Sequence, residues 1–243
     1  MKYLVVDIGN TFLKVALFNE NGVIEKSIDA KNSVDFYSFC RGEQISRSIV
    51  CSVREGVGSK VAEHMSKATG SEVVILDKDT PIPLKNCYAT PHTLGLDRMV
   101  AAVAAAAKFP AEEIIVIDLG TAITIDYVSK EGEFRGGNIS AGFLTRLRAL
   151  NQNTSKLPML SVEEISQLKA KYLKGHFASS TVEALFYGAV EGIRHEIEGY
   201  LRENSTKKPY FTGGDAIFFE KIINLPIFVC SEATLMGLYE ILK

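Results

Sequence analysis

The sequence predicts an α/β protein built on an internal duplication, and three observations carry that expectation. Short β-branched runs alternate with segments of helical periodicity along the 243 residues. The string Val6-Asp7-Ile8-Gly9-Asn10-Thr11 returns as Ile117-Asp118-Leu119-Gly120-Thr121. Gly22 then corresponds to Gly132 at the 110-residue spacing that also relates Thr11 to Thr121. Each copy reads as strand, Asp-x-Gly turn, strand, glycine turn.

The elements follow from local chemistry. Residues 3–7, 48–53 and 73–76 have the length and β-branched content of strands. Residues 14–18 supply the second strand of an N-terminal hairpin, and 114–117 with 123–128 repeat that pair. Leu96–Lys108 is rich in alanine, the best helix former, and stops before Pro110. A second helix starts at Ser180, with Glu183 placed for a capping box. Its apolar positions Val182, Leu185, Phe186, Ala189, Ile193, Ile197 and Leu201 keep helical spacing. Ser161 and Glu164 predict the same box at a shorter helix. No low-complexity linker interrupts the chain, so the expected division falls near Pro110. Residues 1–110 are expected to form an N-terminal lobe with the first Asp-x-Gly turn and the alanine-rich helix. Residues 111–243 are expected to form a C-terminal lobe with the second Asp-x-Gly turn and the Gly213-Gly214 turn.

Composition narrows the partners. Hydrophobic residues make up 47% and charged residues 23%, enough for a sizeable core. A net charge of −2 gives no electrostatic case for nucleic acid or an anionic membrane. No apolar run approaches the ~20 residues of a membrane span; the longest is residues 100–107. The first residues read as a strand rather than a signal peptide, because Asp7 interrupts the apolar stretch. Cys40, Cys51, Cys87 and Cys230 form no CxxC pair and read as reduced thiols of a cytoplasmic protein. The histidines, His64, His92, His176 and His195, lack metal-ligand spacing and read as surface or packing residues.

Duplicated Asp-x-Gly turns suit nucleotide phosphates. Glycine lets the backbone approach an anion closely, and successive N–H groups can cradle it. A neighbouring carboxylate such as Asp7 can hold Mg²⁺ or its waters against phosphate. Asn10 and Thr11 can donate hydrogen bonds, and Lys14 adds positive charge. The simpler alternative is a hairpin turn, since Asp, Asn and Gly are common turn formers; two copies favour phosphate. No GxxxxGK[ST] loop occurs. Tyr210-Phe211-Thr212-Gly213-Gly214-Asp215 reads as a strand running into a turn flat enough for adenosine, or as a tight strand–helix turn. Gly95-Leu96-Asp97-Arg98 opens the alanine-rich helix. There Asp97 can accept a hydroxyl proton and Arg98 can hold a carboxylate, or Asp97 can serve the helix dipole alone. Arg135-Gly136-Gly137-Asn138-Ile139 reads either as close backbone packing, as a ligand wall, or as a plain turn.

In this order, Asp7-x-Gly9-Asn10-Thr11-x-x-Lys14, Gly95-x-Asp97-Arg98, Asp118-x-Gly120-Thr121-Ala122, Gly136-Gly137-x-Ile139 and Thr212-Gly213-Gly214-Asp215 resemble the type III pantothenate kinases over nearly the whole chain. The resemblance implies a duplicated ribonuclease-H-like fold of the actin/Hsp70/sugar-kinase superfamily, with two lobes around a nucleotide cleft. It implies phosphorylation of pantothenate by ATP, the first step of coenzyme A synthesis. It places ATP phosphate at Asp7, Gly9, Asn10, Thr11 and Lys14, a nucleotide contact at Thr121, and adenosine at Gly213 and Gly214. It makes Asp97 the proton acceptor, and forms the pantothenate pocket from Tyr88, Gly95, Leu96, Asp97 and Arg98. It makes Asp118 the ligand of a monovalent cation, K⁺ or NH₄⁺, beside the Mg²⁺ that accompanies ATP. Thr181 matches a pantothenate contact supplied by the opposite subunit of a homodimer; read locally, it is a helix-start residue beside Ser180. The family's usual Pro-Gly is Ala141-Gly142 here, which removes a rigid φ from the pocket wall. Rival readings are another kinase or phosphatase of the superfamily, or a non-catalytic ATP-binding regulator. The lack of a basic stripe or helix-turn-helix argues against direct DNA binding.

Overall fold

Alternation along the first strand decides how its sheet is covered. In β1 (Lys2–Ile8), Leu4, Val6 and Ile8 point to one face, whereas Tyr3, Val5 and Asp7 point to the other. The structure is a computed structural model that describes residues 1–9, 13–30, 33–52 and 56–243. After β1 come β2 (Leu13–Asn19), β3 (Ile24–Ala30), α1 (Ser33–Cys40), β4 (Ile45–Ser52), α2 (Val57–Thr69), β5 (Val73–Ile75), β6 (Lys85–Asn86) and α3 (Leu96–Lys108). Next are β7 (Ile114–Leu119), β8 (Ala122–Val128), β9 (Glu133–Ala141), α4 (Phe143–Asn153), α5 (Val162–Ala170) and α6 (Thr181–Glu203). The remainder is β10 (Lys208–Thr212), α7 (Ala216–Ile222), β11 (Phe228–Val229) and α8 (Ala233–Leu242). The strands and helices expected from the sequence are present, with α3 at the expected bounds.

Two units emerge: Met1–Pro110 with Gly132–Phe134 and Glu232–Lys243, and Ala111–Glu131 with Arg135–Ser231. In the first unit the sheet runs β3-β2-β1-β4-β5, with β1 antiparallel to β2 and parallel to β4. Leu4, Val6 and Ile8 of β1 share a core with Phe36 and Cys40 of α1 and Ala62 and Met65 of α2. On the opposite face Val5, Ala16, Phe18, Ile49 and Cys51 meet Val100 of α3 and Leu235, Leu238, Tyr239 and Leu242 of α8. Short β6 pairs with Glu133 and Phe134, the start of β9.

The second unit has the order β9-β8-β7-β10-β11, the first sheet's order repeated. Here β7 is antiparallel to β8 and parallel to β10. Ile115, Ile117 and Leu119 form one core with Phe143 and Leu147 of α4 and Leu185, Phe186, Val190 and Ile193 of α6. The duplication extends to backbone angles: Gly22 and Gly132 both adopt φ +75°, a left-handed turn conformation that favours glycine. Arg135–Ile139 lies within strand β9 rather than in a turn. The paired glycines there serve close packing, since a Cβ on Gly137 would sit 2.0 Å from the Ile125 carbonyl oxygen.

Caps follow the sequence in one case fully and in one case by half. Ser161 and Glu164 form the reciprocal box at α5. At α6, Ser180 Oγ accepts the Glu183 N–H at 3.3 Å, without the return bond among the described residues. Cys40, Cys51, Cys87 and Cys230 are free thiols. Among the described residues no helix is long and apolar enough to cross a membrane.

Candidate active site

The strand alternation that buries Val5 also carries Asp7 to the face where α3 packs. Asp7 is half-buried and sits between two register partners, Lys14 on β2 and Cys51 on β4. Burial raises its carboxyl above the ordinary range, Lys14 pulls it down, and the charge of Asp97 raises it again. The same surroundings push the buried Cys51 thiol to about 12, through burial first and then the Asp7 and Asp97 charges. Cys51 is therefore an inert thiol under the carboxylates, not a nucleophile. Gly9 follows Asp7 half-buried and Lys14 is exposed. Asn10 and Thr11 lie outside the described residues. In the first unit Asp7 thus feels the charges of both Lys14 and Asp97.

Asp97 occupies the second position of α3. Gly95 is the N-cap, with extended backbone and no side-chain cap. The orphan N–H of Arg98 is instead taken by Asp97 Oδ1, at 2.9 Å. A Cβ on Gly95 would lie 2.3 Å from that oxygen. Arg98 is buried, with its guanidinium carbon 5.5 Å from the Tyr88 ring centroid and 5.8 Å from that of Phe134. The Tyr88 N–H donates to Asn86 Oδ1 at 2.9 Å, which fixes the approach of that ring. Leu96, with Met99, Leu94, Leu84 and Ile82, lines a cavity of about 270 Å³.

In the second unit Asp118 ends β7, opposite Thr124 on β8 and Thr212 on β10. Its Oδ1 lies over Gly213, where a Cβ would come within 2.4 Å and where φ is +93°. The turn beyond Asp118 is pinned through Thr121, whose carbonyl accepts the Gly142 N–H at 3.0 Å and the Thr145 hydroxyl at 2.7 Å. Gly142 allows this approach, since a Cβ there would sit 2.0 Å from the Gly120 carbonyl oxygen. The neighbouring Ala141 carbonyl accepts from Arg146 Nε at 2.7 Å. After Gly213 and the exposed Gly214, the Asp215 N–H donates to the Leu119 carbonyl at 3.1 Å, and its carboxylate pairs with Lys169 at 2.6 Å. Asp118, Thr121 and Gly213 are thereby gathered with Gly120 and Gly142. Thr181 stands apart, exposed at the first turn of α6.

Phe134, Thr145 and Lys169 were not singled out by sequence. Each reaches its partner across a long separation, and none carries a local motif. Gly142 was legible as a retained glycine, though not as the residue that seats the Thr121 turn. No group of three or more His, Cys, Asp or Glu side chains among the described residues could hold a metal. A cation here would rest on single carboxylates with phosphate oxygens, carbonyls and water, the usual ligand set of Mg²⁺ beside a nucleotide.

A repeated sheet order with an Asp-x-Gly turn at the end of each first strand defines the actin/Hsp70/sugar-kinase class. Solved structures agree at the level of fold. The activator of the 2-hydroxyisocaproyl-CoA dehydratase from Clostridium difficile, with bound ADPNP, matches with a TM-score of 0.57 at 13% identity, over 99% of this chain and 94% of that one. The ROK hexokinase from Thermus thermophilus matches with a TM-score of 0.54 at 14% identity, over 100% and 98%. The family model for type III pantothenate kinase matches residues 3–203. A type III pantothenate kinase from Bacteroides fragilis is 38% identical over 245 residues, covering 99% of this chain and 97% of the relative. The chain belongs to the type III pantothenate kinase family, and it is a kinase.

Proposed function

We propose that this chain transfers the γ-phosphoryl group of ATP to the primary hydroxyl of pantothenate, giving 4'-phosphopantothenate, the first step of coenzyme A biosynthesis. Full-length similarity to the family supports the reaction. The observation that carries the residue roles is that the Asp97 charge reaches Asp7, the register partner of Lys14. In the step, the hydroxyl oxygen bonds to γ-phosphorus as the bond from γ-phosphorus to the β–γ bridging oxygen breaks. The electron pair leaves on ADP and the hydroxyl proton passes to Asp97. A loose transition state asks for positioning more than for a strong base, which suits a carboxylate.

Gly9, Asn10, Thr11 and Lys14 hold the phosphates with Asp7, Thr121 adds a nucleotide contact, and Gly213 and Gly214 take adenosine. Tyr88, Gly95, Leu96 and Arg98 form the pantothenate pocket, with Arg98 supplying the charge for its carboxylate. Residues 1–110 provide the first phosphate turn and substrate helix, and residues 111–243 the second turn and the Gly-Gly turn. A carboxyl lifted by burial and by a second carboxylate is a fitting place for a cation, so Asp7 would hold Mg²⁺ or its waters. Mg²⁺ would neutralise charge developing on the phosphates. Asp118 would hold the monovalent cation, K⁺ or NH₄⁺, using the carboxylate that closes over Gly213.

The proposed working unit is a homodimer in the cytoplasm, with Thr181 of each subunit completing its partner's pantothenate site. Transfer of labelled γ-phosphate from ATP to pantothenate tests the reaction. Wild type should label pantothenate, and Asp97→Asn should lower kcat by ~10²–10⁴-fold with the fold intact. ATP turnover indifferent to pantothenate would overturn the assignment. Mixing Asp97→Asn and Thr181→Val chains under subunit exchange should restore part of the activity, because one site per mixed dimer keeps both native groups. No recovery despite demonstrated exchange would remove the shared site.

A further inference from the structure

The first turn of α3 is capped in reverse. A helix usually takes its cap from the preceding residue, whose Ser, Thr, Asp or Asn oxygen accepts an N–H two or three positions on. Here the preceding residue, Gly95, has no side chain to offer, and the N–H that such a cap would take belongs to Arg98. Asp97 Oδ1 accepts that N–H from inside the helix, at 2.9 Å. To do so the carboxylate folds back over the bare Cα of Gly95, where a Cβ would intrude to 2.3 Å of Oδ1, 3.5 Å of Cγ and 4.0 Å of Oδ2. The contact is thus with one oxygen, and the other points away from Gly95.

We infer that Gly95 is a positioning residue for Asp97: its missing side chain lets Oδ1 lock onto the Arg98 N–H, and the lock leaves Oδ2 as the oxygen that receives the substrate proton. The inference rests on the reading of Asp97 as proton acceptor. It gives Gly95 a role separate from any contact with pantothenate. Two substitutions divide the possible causes. Alanine at 95 intrudes on Oδ1 sterically and offers no hydrogen bond. Serine intrudes and also competes for the Arg98 N–H as an ordinary N-cap. Serine costs the helix nothing, since Ser and Gly differ at this position by only a few tenths of a kcal/mol in favour of Ser. The signature is an enzyme no less stable but slower.

The test is a double-mutant cycle on the full chain. Gly95→Ala should lower kcat by about 10-fold and Gly95→Ser by up to about 100-fold, the cost of displacing a reacting group by around an ångström. The KM for ATP and the thermal midpoint should stay at wild-type values. In an Asp97→Asn background, Gly95→Ser should lower kcat far less than in the wild type, because the inferred route to kcat runs through the Asp97 carboxylate. Unchanged kcat in both Gly95 variants would overturn the inference. An equal fall in both backgrounds would also overturn it, since Gly95 would then act through substrate binding or the fold. Failure of the underlying reading shows separately, as near-normal turnover in Asp97→Asn alone, and removes this inference with it.

Discussion

Asp7 meets two demands that conflict in the free protein. Its position on β1 half-buries it and sets it near Asp97, and both raise its carboxyl while only Lys14 opposes them. For an acid raised in the folded state, the ionised form is disfavoured by folding. The penalty is absent below the ordinary value of 3.8 and complete once pH exceeds the raised folded value. Asp7→Asn should therefore raise the thermal midpoint of the ligand-free protein at pH 7 by about 1–3 °C. The gain should shrink as pH falls toward 4, and phosphoryl transfer should be lost. Calorimetry across pH 4–7 checks the first part; an unchanged or lower midpoint at neutral pH would contradict it. At this scale the sequence exposed the polar residues and hid their surroundings. Asp7, Asp97 and Asp118 were legible because Asp-x-Gly and Gly-x-Asp-Arg are compact motifs. The Asp7–Cys51 pairing and the Phe134 ring behind Arg98 were not, because pairing register and long-range packing leave no local trace.

Among the elements, α6 shows how a long amphipathic helix can hold charge inside. Arg194 is 5% exposed and bonds Glu191 through Nε at 3.0 Å and Glu198 through Nη1 at 2.7 Å. Glu191 also receives the Tyr172 hydroxyl and the Gly175 N–H, tying the segment after α5 to α6. Burial, the largest single effect, pushes both carboxyls up, but Arg194, with Tyr172 and Gly175 at Glu191 and Lys174 at Glu198, together hold them below the ordinary 4.5. An acid lowered by folding stabilises above its ordinary value and loses that contribution as pH falls through the lowered one. The network should thus fail progressively below about pH 4.5. Arg194→Met should cost about 3 kcal/mol at pH 7, because it strands two part-buried carboxylates. In that variant stability should fall less on mild acidification than in the wild type, since only Tyr172, Gly175 and Lys174 then hold the two carboxyls down. Urea denaturation at pH 7 and 5 checks the magnitude and the sign. Periodicity showed where α6 lies and which face is apolar. It gave no sign that Glu191, Arg194 and Glu198 are drawn inside, because spacing alone does not separate a solvated i, i+4 pair from a buried one.

For the molecule as a whole, the duplication was legible in sequence only through its turns. The structure extends it to the order of the five strands of the first sheet, repeated by five of the six in the second, and to the matched φ of Gly22 and Gly132. The shortest strands, β6 and β11, have two residues each and could not register as periodic segments. The placement of α8 was also out of reach, because a closing helix gives no sign of which sheet it covers. It joins the first unit, packing Leu235, Leu238, Tyr239 and Leu242 on the face that holds Asp7. Tyr239 stacks on Phe18 with centroids 4.7 Å apart, and Gly237 lies against α3, where a Cβ would fall 2.0 Å from the Val100 carbonyl oxygen. Gly237→Ala should therefore force α3 and α8 apart, costing about 1–3 kcal/mol and lowering kcat through the helix that carries Asp97. Denaturant midpoints with single-turnover rates check both, and a variant with unchanged stability would contradict the close approach. The same placement sets a schedule for synthesis on the ribosome. About 130 residues separate Pro110 from the end of α8, which at 5–20 residues per second is a wait of roughly 7–26 s. Through that interval the nascent first sheet has Val5, Ala16, Phe18 and Ile49 with α3 but without α8, so the growing chain presents part of an apolar face to chaperones until α8 emerges.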